Sequence, residues 1–184
     1  MERIRCFIAI NLPGDIADEI EHIQKELEKK KVFIGKFTEK GNLHLTLKFL
    51  GEIEEDKVED ARARLREIKF NKFSASLGEL GIFSKNFIRI IWICILGKRI
   101  LSLQKEIDKA MEKCGFPAEK RFMSHLTIAR VKKVRDKKLF LNEIGKINVK
   151  KTEFQVNEFY LMKSALKPEG AVYEVLERFG RQIN

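Results

Sequence analysis

Two short stretches carry residue types that can do chemistry at matched spacing: His44-Leu45-Thr46-Leu47 and His125-Leu126-Thr127-Ile128. Side chains alternate faces along a strand, so each stretch sets an imidazole and a hydroxyl side by side, backed by aliphatic residues on the other face. A histidine near its unperturbed pKa of about 6.5 can be either neutral or charged near neutral pH. Two of them can divide a reaction, one accepting a proton from an attacking hydroxyl or water and the other donating to a leaving oxygen, as in-line displacement at phosphorus requires. Neighbouring threonines suit that chemistry by donating hydrogen bonds to non-bridging phosphoryl oxygens. One His-x-Thr alone reads as an ordinary strand with a satisfied histidine; two matched copies, using two of the chain's three histidines, read as a functional pair.

Competing chemistries lack their residues. No third histidine, HExxH or cysteine at ligand spacing accompanies the pair, so neither a metal nor another cofactor is expected. There is no G-x-S-x-G and no G-x-x-x-x-G-K-[ST]. Cys6, Cys94 and Cys114 are scattered and odd in number, which argues against a disulfide framework and for a reducing, cytoplasmic setting. The apolar runs are too short to span a bilayer, so no membrane partner is expected. A formal charge of +10 with pI near 9.5 favours a polyanionic partner, nucleic acid first.

The elements that must position the pair follow from periodicity. Arg3 to Ile10 alternates as a strand, with Phe7 opposite the Ile4, Cys6, Ile8 and Ile10 face. Ile16, Ile20, Ile23 and Leu27 recur at helical spacing. Phe33–Phe37 and Leu43–Phe49 read as strands, and Val58, Ala61, Leu65 and Ile68 mark a second helix. Strands are expected at Phe73–Leu77 and Phe87–Ile95, separated by Gly78, Gly81 and the 84–86 turn. A third helix carries Ile100, Leu103, Ile107, Met111 and Cys114, ended by Gly115. Ser124–Val131 is the second motif strand, followed by a short helix over 137–144 and strands at Val149–Val156, Phe159–Lys163 and Val172–Phe179, the last two divided by a turn at 167–170. Helix followed by His-x-Thr strand, twice, predicts an α+β, bilobed, pseudo-symmetric fold over residues 1–184. It has two largely antiparallel sheets facing a central groove with helices outside. A doubly wound parallel sheet is disfavoured, since no Gly-rich loop follows the first strand.

The paired motifs resemble the HxTx motifs of the two-histidine phosphoesterases. Arg5-Cys6-Phe7-Ile8-Ala9-Ile10, Leu43 through Glu52, Ser124 through Arg130, and Lys163-Ser164 ahead of Pro168-Glu169-Gly170 are similar to the RNA 2′,3′-cyclic phosphodiesterase family, also called 2′-5′ RNA ligases. The resemblance implies metal-independent opening of a 2′,3′-cyclic phosphate to a 2′-phosphate, with RNA ends (tRNA fragments among them) as substrate and 2′-5′ ligation from the same site. On this basis His125 is expected as general base and His44 as general acid, with Thr46 and Thr127 on the phosphoryl oxygens. Further contacts are expected from Lys48, which has His44's parity, and from Arg130, which strict alternation puts on the wrong face unless a bulge intervenes. Phe7 and Phe49 are candidate base-stacking surfaces, Phe49 having the parity opposite His44. A monomer is the expected state. The rival readings are a non-catalytic basic RNA-binding protein and a cyclic phosphodiesterase for small nucleotides.

Overall fold

A computed structural model gives the structure of residues 3–168 and 170–180. Strand β1 (Ile4–Asn11) leads into helix α1 (Gly14–Lys30), whose buried stripe is Ile16, Ile20, Ile23 and Leu27. The helix stops at Lys31, which takes the left-handed conformation at φ 51° and returns its N–H to the Glu28 carbonyl. Strands β2 (Phe33–Phe37) and β3 (His44–Ile53) follow, then α2 (Glu55–Arg66). The second half repeats the plan: β4 (Phe73–Ile82), β5 (Ile90–Leu96), α3 (Lys98–Glu112), β6 (His125–Val134) and α4 (Lys137–Gly145). Strands β7 (Glu153–Val156), β8 (Phe159–Lys167) and β9 (Gly170–Phe179) close the chain; Glu169 of the expected 167–170 turn lies outside the described residues.

Every strand pairing among the described residues is antiparallel, in the order β7-β4-β5-β6-β3-β1-β8-β9 with β2 on the far side of β6. The centre of this run is thin. β3 and β6 meet through the single pair Leu45↔Leu126, so two sheets, β9-β8-β1-β3 and β7-β4-β5-β6-β2, splay from the two motif strands. The expected α+β architecture of antiparallel sheets about a groove is what forms.

The chain weaves between the lobes. α1 leaves β1 in the first lobe but packs behind β6, and α3 leaves β5 in the second lobe but packs behind β3. Each helix buries aliphatic residues against the strand carrying the other half's motif. The main core therefore lies on the convex side, and a smaller cluster of Phe7, Ala9, Tyr160 and Met162 lies on the groove side of the first lobe.

Three expectations change. Gly78 and Gly81 do not end β4 but lie inside it: a Cβ on Gly81 would sit 2.3 Å from the Trp92 indole, so the glycine marks cross-strand crowding instead of a turn. Residues 87–89 precede β5, whose ladder begins at Ile90. Only Glu153–Val156 of the 149–156 stretch pairs as a strand.

Candidate active site

Both motif strands carry a β-bulge at the same place. Thr46 faces Ala9 and Lys48 faces Ile8, which leaves Leu47 without a partner in β3. Thr127 faces Trp92 and Ala129 faces Ile91, which leaves Ile128 without one in β6. An extra residue reverses the parity of everything after it. Consequently Lys48 turns inward with Leu47, Ala129 turns inward with Ile128, and Phe49 and Arg130 emerge on the groove face beside the His-x-Thr pairs. Arg130 thus gains the bulge it needed, and the parity argument against Phe49 falls.

The same bulge removes Lys48 from the expected site. The residue is 2 % exposed, and Nζ donates to Asp108 Oδ1 at 2.5 Å and to the Pro117 carbonyl at 2.8 Å behind the sheet. Phe7 also changes role. It lies on the groove face but is 3 % exposed, its ring 4.8 Å from the His44 ring, so it backs the histidine and offers no free stacking face. Phe49, 64 % exposed, does offer one.

The two imidazoles are held alike. His44 Nδ1 lies 2.8 Å from the Asn42 carbonyl, and His125 Nδ1 lies 2.8 Å from the Met123 carbonyl. A carbonyl only accepts, so each Nδ1 carries the proton and each Nε2 is left as the reactive atom: a lone pair when neutral, a donor when charged. Aromatic edges steady both rings, Tyr173 against His44 at 5.0 Å and Phe83 against His125 at 4.9 Å. Surrounding protein desolvates the His44 ring, and this burial holds its pKa below the ordinary histidine value. The Asn42 carbonyl opposes that shift, while the positive charges of Arg130 and His125 add to it. In the free groove His44 is therefore held toward the neutral form, which can accept a proton.

The bulges are braced from behind. The Ile128 carbonyl, freed from the β5 ladder, accepts from Thr38 N–H at 2.9 Å and from Gln24 Nε2 of α1 at 2.9 Å. Gln24 Nε2 also donates to the Thr38 carbonyl, and Thr38 Oγ1 donates to the Thr127 carbonyl at 2.9 Å. β2 comes this close to β6 only because residue 35 is glycine: a Cβ there would lie 2.2 Å from the Arg130 carbonyl oxygen.

Together these residues line a cavity of about 640 Å³ that contains His44, Thr46, Phe49, His125, Thr127 and Arg130. Arg5, Lys36, Asn42, Ser164 and Tyr173 also line it and were not anticipated. Arg5 was readable, since it shares β1's groove face with Phe7. Tyr173 was not, because β9 reaches the groove only by pairing with β8, and alternation within β9 says nothing about which face meets the other lobe. Among the described residues no group of three or more His, Cys, Asp or Glu could hold a metal ion, and no helix is long and apolar enough to cross a membrane.

A pseudo-symmetric groove with one His-x-Thr from each lobe is the arrangement of a two-histidine phosphoesterase, and comparison with known proteins agrees. The family described as LigT like Phosphoesterase matches residues 10–92 and 96–173. An RNA 2′,3′-cyclic phosphodiesterase of Methanocaldococcus jannaschii is 35% identical over 178 residues, covering 96% of this chain and 100% of its own. A protein of the same description from Methanothermobacter thermautotrophicus is 32% identical, covering 96% and 98%. The crystal structure of TT0787 of Thermus thermophilus superposes with a TM-score of 0.82 at 27% identity, covering 96% of this chain and 97% of that one. The chain belongs to the LigT-like phosphoesterase family.

Proposed function

We propose that the protein hydrolyses RNA 2′,3′-cyclic phosphate ends to 2′-phosphates without a metal. The observation that carries the reading is the pair of imidazoles, each pinned through Nδ1 to a backbone carbonyl and each left with Nε2 for one cavity that also holds Thr46, Thr127 and Arg130. In the reaction a water oxygen attacks phosphorus in line with the P–O3′ bond and gives its proton to His44 Nε2. The P–O3′ bond breaks as His125 Nε2–H donates to O3′, leaving the phosphate on O2′. Thr46 and Thr127 hydroxyls and the Arg130 guanidinium hold the non-bridging oxygens, where charge builds in the transition state. Arg130 suits that place because its planar fork matches two phosphoryl oxygens at once.

Phe49 and Tyr173 offer the terminal base an aromatic wall on the His44 side of the cavity. If an RNA 5′-hydroxyl replaces water, the same displacement makes a 2′-5′ linkage; water prevails unless a second RNA end is held in place. All these groups come from one chain, so a monomer suffices. The test is incubation with 2′,3′-cyclic-phosphate RNA in excess chelator, reading the position of the product phosphate. A 2′-phosphate at undiminished rate is expected; a 3′-phosphate, an unopened ring, or an absolute demand for added metal would overturn the reading.

A further inference from the structure

The cavity is not the end of the aromatic surface. Phe83 packs against the His125 ring, stands 5.8 Å from Trp92 and is 52 % exposed. A few residues on, Phe87 is 65 % exposed, and the Arg89 guanidinium lies over its ring at 4.4 Å from the centroid. Neither phenylalanine lines the cavity, whereas Ile90, directly after Arg89, does and pairs with Arg130. The 83–89 loop therefore forms a shoulder running outward from the reacting phosphate on the His125 side.

That shoulder is built as well as exposed. Arg89 Nη1 donates to the Lys132 carbonyl at 3.2 Å, which fixes the guanidinium against the Phe87 ring. The loop turns through Ser84, whose Oγ accepts from the N–H groups of Asn86 and Phe87. The Trp92 indole lies against Gly81, where no Cβ intervenes, and this fills the space beneath Phe83 and holds its ring outward. Its charge has one sign. Lys85 and Arg89 sit on the loop, Lys132 and Lys133 on the adjacent end of β6, and Lys137 reaches Asn86 at 3.4 Å. Asp136, at the start of α4, is occupied in capping that helix through the N–H of Leu139, and Glu79 lies back along β4 against Cys94. Exposed rings interleaved with fixed cations match an unpaired polynucleotide, whose bases stack on the rings while its phosphates meet the charges. A protein partner would be served by the apolar surface alone and would have to desolvate these cations.

We propose that the 83–89 shoulder is a second stacking site, taking an unpaired nucleotide of the same RNA strand whose cyclic phosphate lies between the histidines. This rests on the reading of the cavity as a cyclic phosphodiesterase site and adds to it: the preferred substrate is a single-stranded oligonucleotide end, and a mononucleotide leaves the shoulder empty. Phe87 and Arg89 are the residues to change, since both lie outside the cavity.

The experiment compares a 2′,3′-cyclic mononucleotide with an unpaired oligonucleotide of about five nucleotides bearing the same end, in wild-type protein and in Phe87→Ser and Arg89→Gln variants. Wild-type kcat/KM should be higher for the oligonucleotide. Each variant should lose about tenfold of kcat/KM on the oligonucleotide, through KM, and keep its rate on the mononucleotide; stacking of one base accounts for that size of change. Equal losses on both substrates, or none on the oligonucleotide, would overturn the proposal. Binding of a 3′-hydroxyl oligonucleotide by fluorescence anisotropy separates this claim from the catalytic one. If the wild-type protein opened neither cyclic phosphate, a tenfold weaker Kd in both variants would still support the shoulder, and an unchanged Kd would remove it. The same strand held in a blunt duplex should show no sensitivity to either variant; equal sensitivity would mean the shoulder reads charge and not unpaired bases.

Discussion

Removing the two imidazoles one at a time tests the division of labour between them. General acid or base catalysis by a positioned histidine contributes about 10²–10⁴ in rate, or roughly 3–5 kcal/mol of barrier, so His44→Ala and His125→Ala should each lose kcat within that range. The double variant should be little worse than either single one, because the groups act as a unit. The pH dependence then says which does what. In wild-type protein kcat/KM should follow a bell, whose limbs belong to the coupled pair in the free enzyme. Burial, Arg130 and His125 all disfavour imidazolium at His44. The acidic limb, where the base must lose its proton, should accordingly lie below the ordinary histidine value of about 6.5. Binding the cyclic phosphate monoanion puts negative charge near that ring and offsets Arg130, so the acidic limb of kcat should lie higher than that of kcat/KM. Residual activity of His44→Ala should lack the acidic limb, and that of His125→Ala the alkaline one, measured by initial rates on cyclic-phosphate RNA from pH 4 to 9. The opposite pattern would exchange the two roles. Losses below tenfold in both variants would refute proton transfer by the pair.

The remaining predictions concern what holds the site. Lys48→Met strips Asp108 of its buried cation, leaving Gln104 Nε2 at 2.7 Å and the Glu119 N–H as its partners; it should cost about 3–5 kcal/mol in urea unfolding, and Lys48→Met with Asp108→Leu should recover most of that. Gly35→Ala forces β2 off the Arg130 carbonyl and should cost about 1–3 kcal/mol of stability with a fall in kcat/KM larger than the fall in RNA affinity. Because the folded His44 pKa is depressed, the unfolded chain takes up a proton more readily. His44 therefore contributes stability fully present above about pH 6.5 and lost as pH falls through the window below it, and His44→Gln should flatten that part of the urea midpoint against pH.

How far the sequence carried this picture depended on period. His44 with Thr46 and His125 with Thr127 were placed correctly on one face because strict alternation holds up to the threonine. It fails at Leu47 and Ile128, where no glycine or proline announces the bulge, and this misplaced Lys48, Phe49 and Arg130 together. A signal was present all the same. The large aliphatic residues run Leu45, Leu47, Leu50 in β3 and Leu126, Ile128, Val131 in β6, a spacing of two followed by three in both strands. Gly78 and Gly81 look like breakers because a glycine in a strand is the same in sequence whether it turns the chain or admits an indole. Tyr173 was beyond reach for another reason: its place depends on which strand β9 pairs with, a non-local choice.

The bulges also explain how a duplicated plan yields a site that is not symmetric in function. Up to the threonines the two halves present the same groups in the same way, each imidazole held by the carbonyl two residues before it. The added residue brings the next outward position into the groove, and there the halves differ: an exposed ring at Phe49, a guanidinium at Arg130. The inward positions differ in step, since Lys48 is drawn onto Asp108 of α3 while the smaller Ala129 leaves the Ile128 carbonyl to Gln24 of α1. Arg130 brings positive charge to bear on His44 and so biases the protonation of one imidazole, while Phe49 gives the His44 side an apolar wall for a base. A two-fold arrangement of identical donors would bind a phosphate in either of two orientations; in the reaction proposed above, the unlike residues after the bulges select one, and with it which histidine faces the water and which faces O3′.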